Sequence, residues 1–125
     1  MITHVVLGTD DIPAAKKFYD AVLGALGHAA ALELEDGRLV YQGDPTFIVI
    51  TKPINGRPAT AANGGTVGLA APSRESVDAF HAAGLAAGGS DEGAPGPRAV
   101  LPGSYAAILR DPTGNKLIAW CMNES

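Results

Sequence analysis

Of the three histidines in this chain, His4 is the one placed to do chemistry. It stands in the run Ile2-Thr3-His4-Val5-Val6-Leu7, and alternate residues of an extended chain face opposite sides, so His4 turns away from the face carrying Val5 and Leu7. An imidazole there can ligate a metal, act as a general base or line a pocket; its plainer role is that of a satisfied interior residue. His81 falls on a helical stripe and His28 follows a helix-ending glycine, so neither carries a signal of its own. Cys121 is the only cysteine, which excludes an internal disulfide and a Cys-based zinc cluster and leaves it as a small buried hydrophobe. Ser73 and Ser76 stand at a helix start, where capping explains them. Gly84, Gly88 and Gly89 read as helix and turn breakers rather than a phosphate cradle, and no nucleophile elbow is present. A serine or cysteine hydrolase is disfavoured.

The elements that position His4 come in two copies. At a spacing of 62 residues, Thr3-His4-Val5-Val6-Leu7 aligns with Gly65-Thr66-Val67-Gly68-Leu69, and the helical stripe Ala15, Phe18, Tyr19, Val22, Leu23 aligns with Val77, Phe80, His81, Gly84, Leu85. In the first copy, residues 2–7 read as a strand and Asp10 or Asp11 caps a helix that has Pro13 in its first turn and Gly24 to stop it. Three strands follow, over residues 29–34, 38–42 and 47–51, separated by Glu35-Asp36-Gly37 and Gly43-Asp44-Pro45. Residues 53–65 carry Pro, Gly, Ala and Asn without apolar periodicity and read as a linker between modules at 1–52 and 66–125. The second copy runs through a strand at 66–70, a helix capped by Ser73, weak strand candidates at 88–92 and 99–101, and a hairpin of 105–110 with 116–121. Its turn, Asp111-Pro112-Thr113-Gly114, has the type I signature.

Composition sets the outer limits. The 125 residues are 46% apolar and 18% charged, an ordinary globular balance. The net charge of −4 and the scattered Lys and Arg give no footprint for nucleic acid. Residues 21–32, free of charge near the start, are too short and glycine-broken for a membrane span, and no basic start precedes an apolar region, so the expected location is the cytoplasm.

With paired β-α-β-β-β modules, His4 with Asp11 and Phe18-Tyr19…Leu23-Gly24 at the start, and Arg110-Asp111-Pro112-Thr113-Gly114-Asn115-Lys116 near the end, the chain resembles the vicinal oxygen chelate superfamily. That superfamily includes glyoxalase I, bleomycin-resistance proteins, fosfomycin-modifying transferases and extradiol dioxygenases. The resemblance implies an α+β fold in which two tandem β-α-β-β-β modules form a concave half-barrel sheet with helices on the outside. It also implies a divalent metal held in the concavity by a His or Glu from the first strand and a Glu from the last strand of each module. His4 matches the first such position. Thr66 stands at its counterpart in the second module, Ile118 stands where the last strand would supply Glu, and residues 46–51 contain no carboxylate. Protein sites for such ions need about three ligands or more, so no cofactor is expected, with an atypical divalent metal site as the alternative.

The same resemblance implies an apolar cleft. Val49, Ile118 and Trp120 would wall it, and His4, Thr66, Tyr41 and Tyr105 would supply polar contacts; Arg57 and Arg98 could close over an anionic ligand. The linker Lys52-Pro53-Ile54-Asn55-Gly56-Arg57-Pro58-Ala59-Thr60 is similar to that of a glyoxalase-like subgroup whose members commonly carry His at the position of Thr66 and Glu at that of Ile118. The expectation is a homodimer that binds a small organic molecule in the cleft without the usual metal, and that contacts neither nucleic acid nor membrane. The alternative is a lyase or isomerase of the glyoxalase or dioxygenase type that uses His4 for proton transfer or recruits a metal.

Overall fold

The computed structural model describes residues 1–122. Its strands form two separate four-stranded mixed sheets rather than a closed barrel, one from each half of the chain. The first half runs β1 (His4–Gly8), α1 (Ile12–Ala25), β2 (Leu32–Glu33), β3 (Leu39–Gln42) and β4 (Phe47–Thr51). The second runs β5 (Val67–Ala70), α2 (Arg74–Ala86), β6 (Ser90–Pro97), β7 (Tyr105–Arg110) and β8 (Lys116–Cys121). Strand order is β1-β4-β3-β2 in one sheet and β5-β8-β7-β6 in the other, with β1 parallel to β4 and β5 parallel to β8. The repeated sequence thus becomes a repeated α+β topology.

Capping residues set the helix limits. Asp11 accepts from the Ala14 amide at 3.0 Å at the start of α1, with Pro13 in the first turn where its missing N–H costs nothing. Ser73 and Ser76 form a reciprocal capping box on α2. The expected stop at Gly24 lies one turn early. Gly27, at φ +97°, ends α1, because only that left-handed position lets the amides of Gly27 and His28 reach the carbonyls of Gly24 and Leu23.

The two helices pack on each other and join the halves. Phe18, Tyr19 and Val22 of α1, Val77 and Phe80 of α2, and Leu39, Leu109, Leu117 and Ala119 of the sheets are fully buried in one continuous core. Each large side chain there contributes roughly 1.5–3 kcal/mol by leaving water. A buried polar cluster pins the same junction. Asp111 Oδ1 accepts from the amides of Thr113, Gly114 and Asn115, while Oδ2 accepts from Tyr19 Oη at 2.5 Å and Asn115 Nδ2 at 2.8 Å. Asn115 Nδ2 also donates to the Gly8 carbonyl at the end of β1.

Three strand expectations need correction, the first being residues 29–34, of which only Leu32–Glu33 forms β2. Residues 99–101 are not a strand: Leu101 N donates to Arg98 O and Ser104 N to Leu101 O, so the chain turns twice before β7. In their place β6 extends to Pro97, interrupted by register shifts between Asp91 and Gly93 and between Gly93 and Gly96. Prolines are tolerated there because β6 is an edge strand.

Candidate functional site

Pairing fixes which side chains share a face. In the first sheet His4, Phe47 and Gln42 form one cross-strand row and Val6, Val49 and Val40 the next. Both rows lie on the face away from α1, since their alternates Leu39, Tyr41, Ile48 and Ile50 are buried in the core. In the second sheet the open face carries the rows Lys116–Arg110, Gly68–Ile118–Ile108 and Ala70–Trp120–Ala106. The alternates Leu117, Ala119 and Leu109 are fully buried under α2. Thr66, exposed one residue before β5, shares the parity of Gly68.

His4 is exposed on that open face, as strand alternation requires. Its ring lies parallel to Phe47, with centroids 4.8 Å apart and planes inclined by 6°, and Nδ1 shares a 2.9 Å hydrogen bond with Thr3 Oγ1. One imidazole nitrogen is therefore already engaged. Around it the face is aliphatic and uncharged: Val6, at 54% exposure, Val49 and Val40.

The shared register also identifies the fourth position of the implied metal site. His4 pairs with Phe47, and Val67 pairs with Leu117, which aligns Thr66 with Lys116; the structural counterpart of Ile118 is then Val49. The four positions hold an imidazole, an isopropyl group, a hydroxyl and a sec-butyl group. A divalent cation does not fit that donor set, because two of its members have no lone pair and a neutral hydroxyl is a weak ligand. Among the described residues no three His, Cys, Asp or Glu side chains gather into a cluster that could replace them.

Tyr41 and Tyr105 lie on the other side of their sheets. Tyr41 packs under α1, where its hydroxyl donates to Asp20 Oδ1 at 2.7 Å, and burial together with that carboxylate pushes its pKa up. Tyr105 Oη donates to Asp78 Oδ1 at 2.6 Å and its ring lies beneath the Arg74 guanidinium, so both groups address α2. Tyr19 is likewise held protonated by burial and Asp111. The two arginines expected to meet an anion differ in availability. Arg57 is exposed in the linker. Arg98 donates from Nη2 to Ala94 O at 2.9 Å and from Nη1 to the carbonyls of Gly96 and Pro97.

A cavity of about 670 Å³ opens on the helix side, between Val5, Tyr41 and Ile48 of the first sheet, Leu23 and Leu26 at the end of α1, and the edge strand β5. Thr66 reaches its rim, whereas His4, Val49, Ile118 and Trp120 do not line it. No sequence motif points to it, since it arises where the two halves meet. The open-face residue missed by sequence reasoning is Lys116, whose charge only the β7–β8 register sets opposite Arg110.

The sequence model of the Glyoxalase/Bleomycin resistance protein/Dioxygenase superfamily matches residues 1–118. Among solved structures, a glyoxalase/bleomycin resistance protein from Albidiferax ferrireducens T118 is 48% identical, with 97% of this chain and 98% of that one covered and a TM-score of 0.89. A lactoylglutathione lyase from Agrobacterium tumefaciens is 25% identical over 97% of this chain and 92% of that one, with a TM-score of 0.66. A glyoxalase-related enzyme from Fulvimarina pelagi, 17% identical over 97% and 87%, shares the fold with a TM-score of 0.78. No curated protein matches.

Proposed function

The chain belongs to the glyoxalase/bleomycin resistance protein/dioxygenase superfamily, and from that premise we propose that it binds a small organic molecule on the open faces of its sheets without the usual metal. The observation that carries this reading is the set of residues at the four ligand positions. Val49, Thr66 and Ile118 replace groups that would hold a cation with groups that pack against carbon. Small-molecule sites need apolar walls and a few oriented polar groups, and the His4–Phe47 stack, Val6, Val49, Ile118 and Trp120 supply the walls. His4, oriented by Thr3, supplies a polar contact.

The site is completed by a second copy of the chain. Each sheet leaves its open face uncovered and its first strand, β1 or β5, unpaired on the outer edge, and the helix-side cavity runs along the unpaired edge of β5. We place the protein in the cytoplasm on its single cysteine, Cys121, a buried thiol outside any disulfide. No helix among the described residues is long and apolar enough to cross a membrane.

Metal analysis of the purified protein tests the reading. Protein isolated without chelator is expected to carry no stoichiometric divalent metal and to melt at the same temperature with or without EDTA. About one zinc, nickel, manganese or iron per chain, lost in His4→Ala, would overturn the metal-free reading in favour of a metal-dependent enzyme.

A further inference from the structure

The open face of the second sheet sets two cations side by side and provides a counter-ion for one. Lys116 and Arg110 are direct cross-strand partners and both point away from α2. Like charges directly opposite in an antiparallel pair oppose the pairing. Arg110 is neutralised, since Nε donates to Glu92 Oε1 at 2.5 Å and Nη1 to the Gly114 carbonyl at 2.8 Å. Lys116 is half-buried, and among the described residues no carboxylate lies within ion-pair distance of its Nζ. The remaining lysines differ: Lys16 is paired with Asp20, and Lys17 and Lys52 are exposed to solvent.

The ground beside Lys116 is apolar and accessible. Ile118 and Trp120 follow it at two-residue spacing on the same face, and the neighbouring β5 residues on that face are Gly68 and Ala70. A Cβ at Gly68 would touch Ile118 Cγ2 at 3.6 Å, so its absence leaves the flank of Ile118 bare. A lone ammonium at one end of an apolar strip has the chemistry that fits a molecule with one acidic group and a hydrophobic body. The acidic group would supply the charge that Glu92 supplies to Arg110.

We infer that the ligand of this cleft is an organic anion, whose carboxylate, sulfonate or phosphate meets Lys116 and whose apolar body lies over Ile118 and Trp120. The inference rests on the reading of the open faces as a small-molecule site and adds the charge of the ligand and the residue that selects it. Lys116, rather than Arg57 or Arg98, is assigned the anion because Arg98 already serves three backbone carbonyls and Arg57 stands exposed in the linker.

The probes are 8-anilinonaphthalene-1-sulfonate and N-phenyl-1-naphthylamine, which share one skeleton and differ by the sulfonate. Trp120 is the only tryptophan, so energy transfer from it reports a probe bound to the folded chain, and the Lys116 variants locate that probe on this face. The wild-type protein is expected to bind the sulfonate about tenfold more tightly than the neutral probe. Raising salt from about 0.05 M to about 0.5 M should weaken only the sulfonate. Lys116→Met, which keeps the aliphatic stem, should abolish the preference by weakening the sulfonate alone; Lys116→Arg should keep it, and so should Lys17→Met on the surface of α1. Equal wild-type affinities, a salt-independent preference, or a preference that survives Lys116→Met would overturn the anion assignment while leaving the small-molecule site standing. If neither probe drew energy transfer from Trp120, the open-face reading and the inference would fall together.

Discussion

Asp111 organises more of this molecule than its place in a surface turn suggests. One oxygen closes the β7–β8 turn through three amides, and the other takes the Tyr19 hydroxyl from α1 and the amide group of Asn115, which also holds the end of β1. A carboxylate buried to 5% exposure is tolerable only because every lone pair finds a donor. Tyr19→Phe removes one donor and adds no bulk, so it should destabilise the fold by about 1.5–3 kcal/mol, the worth of a hydrogen bond to a charged group. Urea unfolding with an unchanged m-value measures this, and wild-type stability in the variant would show the bond to be dispensable. The Tyr19 role is not legible in the sequence, where it reads only as part of an apolar helical stripe. The facing of His4 is legible because it is the one polar side chain of β1 and Val5 and Leu7 oppose it. Tyr41 and Tyr105 are not, because Leu39-Val40-Tyr41 and Tyr105-Ala106-Ala107-Ile108 are apolar at both parities and only strand pairing decides which face each takes.

The helices show where spacing sufficed and where it did not. The stripe Ala15, Phe18, Tyr19, Val22, Leu23 and its copy Val77, Phe80, His81, Gly84, Leu85 predict two helices, and both form; in the second only Val77, Phe80 and Gly84 are buried, Leu85 is 43% exposed, and α2 runs on through Gly84, which by residue type reads as a breaker. What the pattern hides is that the two stripes meet each other. Gly84 occupies the point of closest approach, where a Cβ would collide with Leu109 Cδ1 and lie 3.1 Å from Val22 Cγ1 and 3.4 Å from Phe18 Cε1. Alanine would raise helix propensity by about 1 kcal/mol, but overpacking of this kind costs about 1–3 kcal/mol, so Gly84→Ala should be net destabilising. Gly24→Ala is the matched control. Nothing lies within 4 Å of its added Cβ, so that change should stabilise by about 0.5–1 kcal/mol. Thermal melts of the two variants should shift in opposite directions, and a shared direction would refute the packing argument. Only the start of β6 is legible, as the weak candidate at 88–92, for a related reason. Ser-Asp-Glu-Gly-Ala-Pro-Gly-Pro has no β-branched residue, and its extended form is imposed by pairing with β7.

At the scale of the whole molecule, the repeat has a consequence for assembly. β1 and β5 are equivalent strands, each parallel to the last strand of its own sheet and each unpaired on its outer edge. Edges of this kind are liabilities in a soluble chain unless something covers them. A second copy related by a two-fold axis can cover both at once, β1 of one chain against β5 of the other and the reverse, which closes the assembly without leaving a growing end. It would also cover part of the apolar face that Val6, Val49 and Val40 make beside the His4–Phe47 stack. Sedimentation equilibrium is expected to give twice the 12.7 kDa chain mass, and Val6→Asp, which places a charge on that open face, should shift the protein toward the single-chain mass while its far-UV circular dichroism stays that of the folded chain. A wild-type mass of 12.7 kDa that does not change with concentration would mean that each sheet works alone, and a ligand site would then have to be sought on one open face rather than between two.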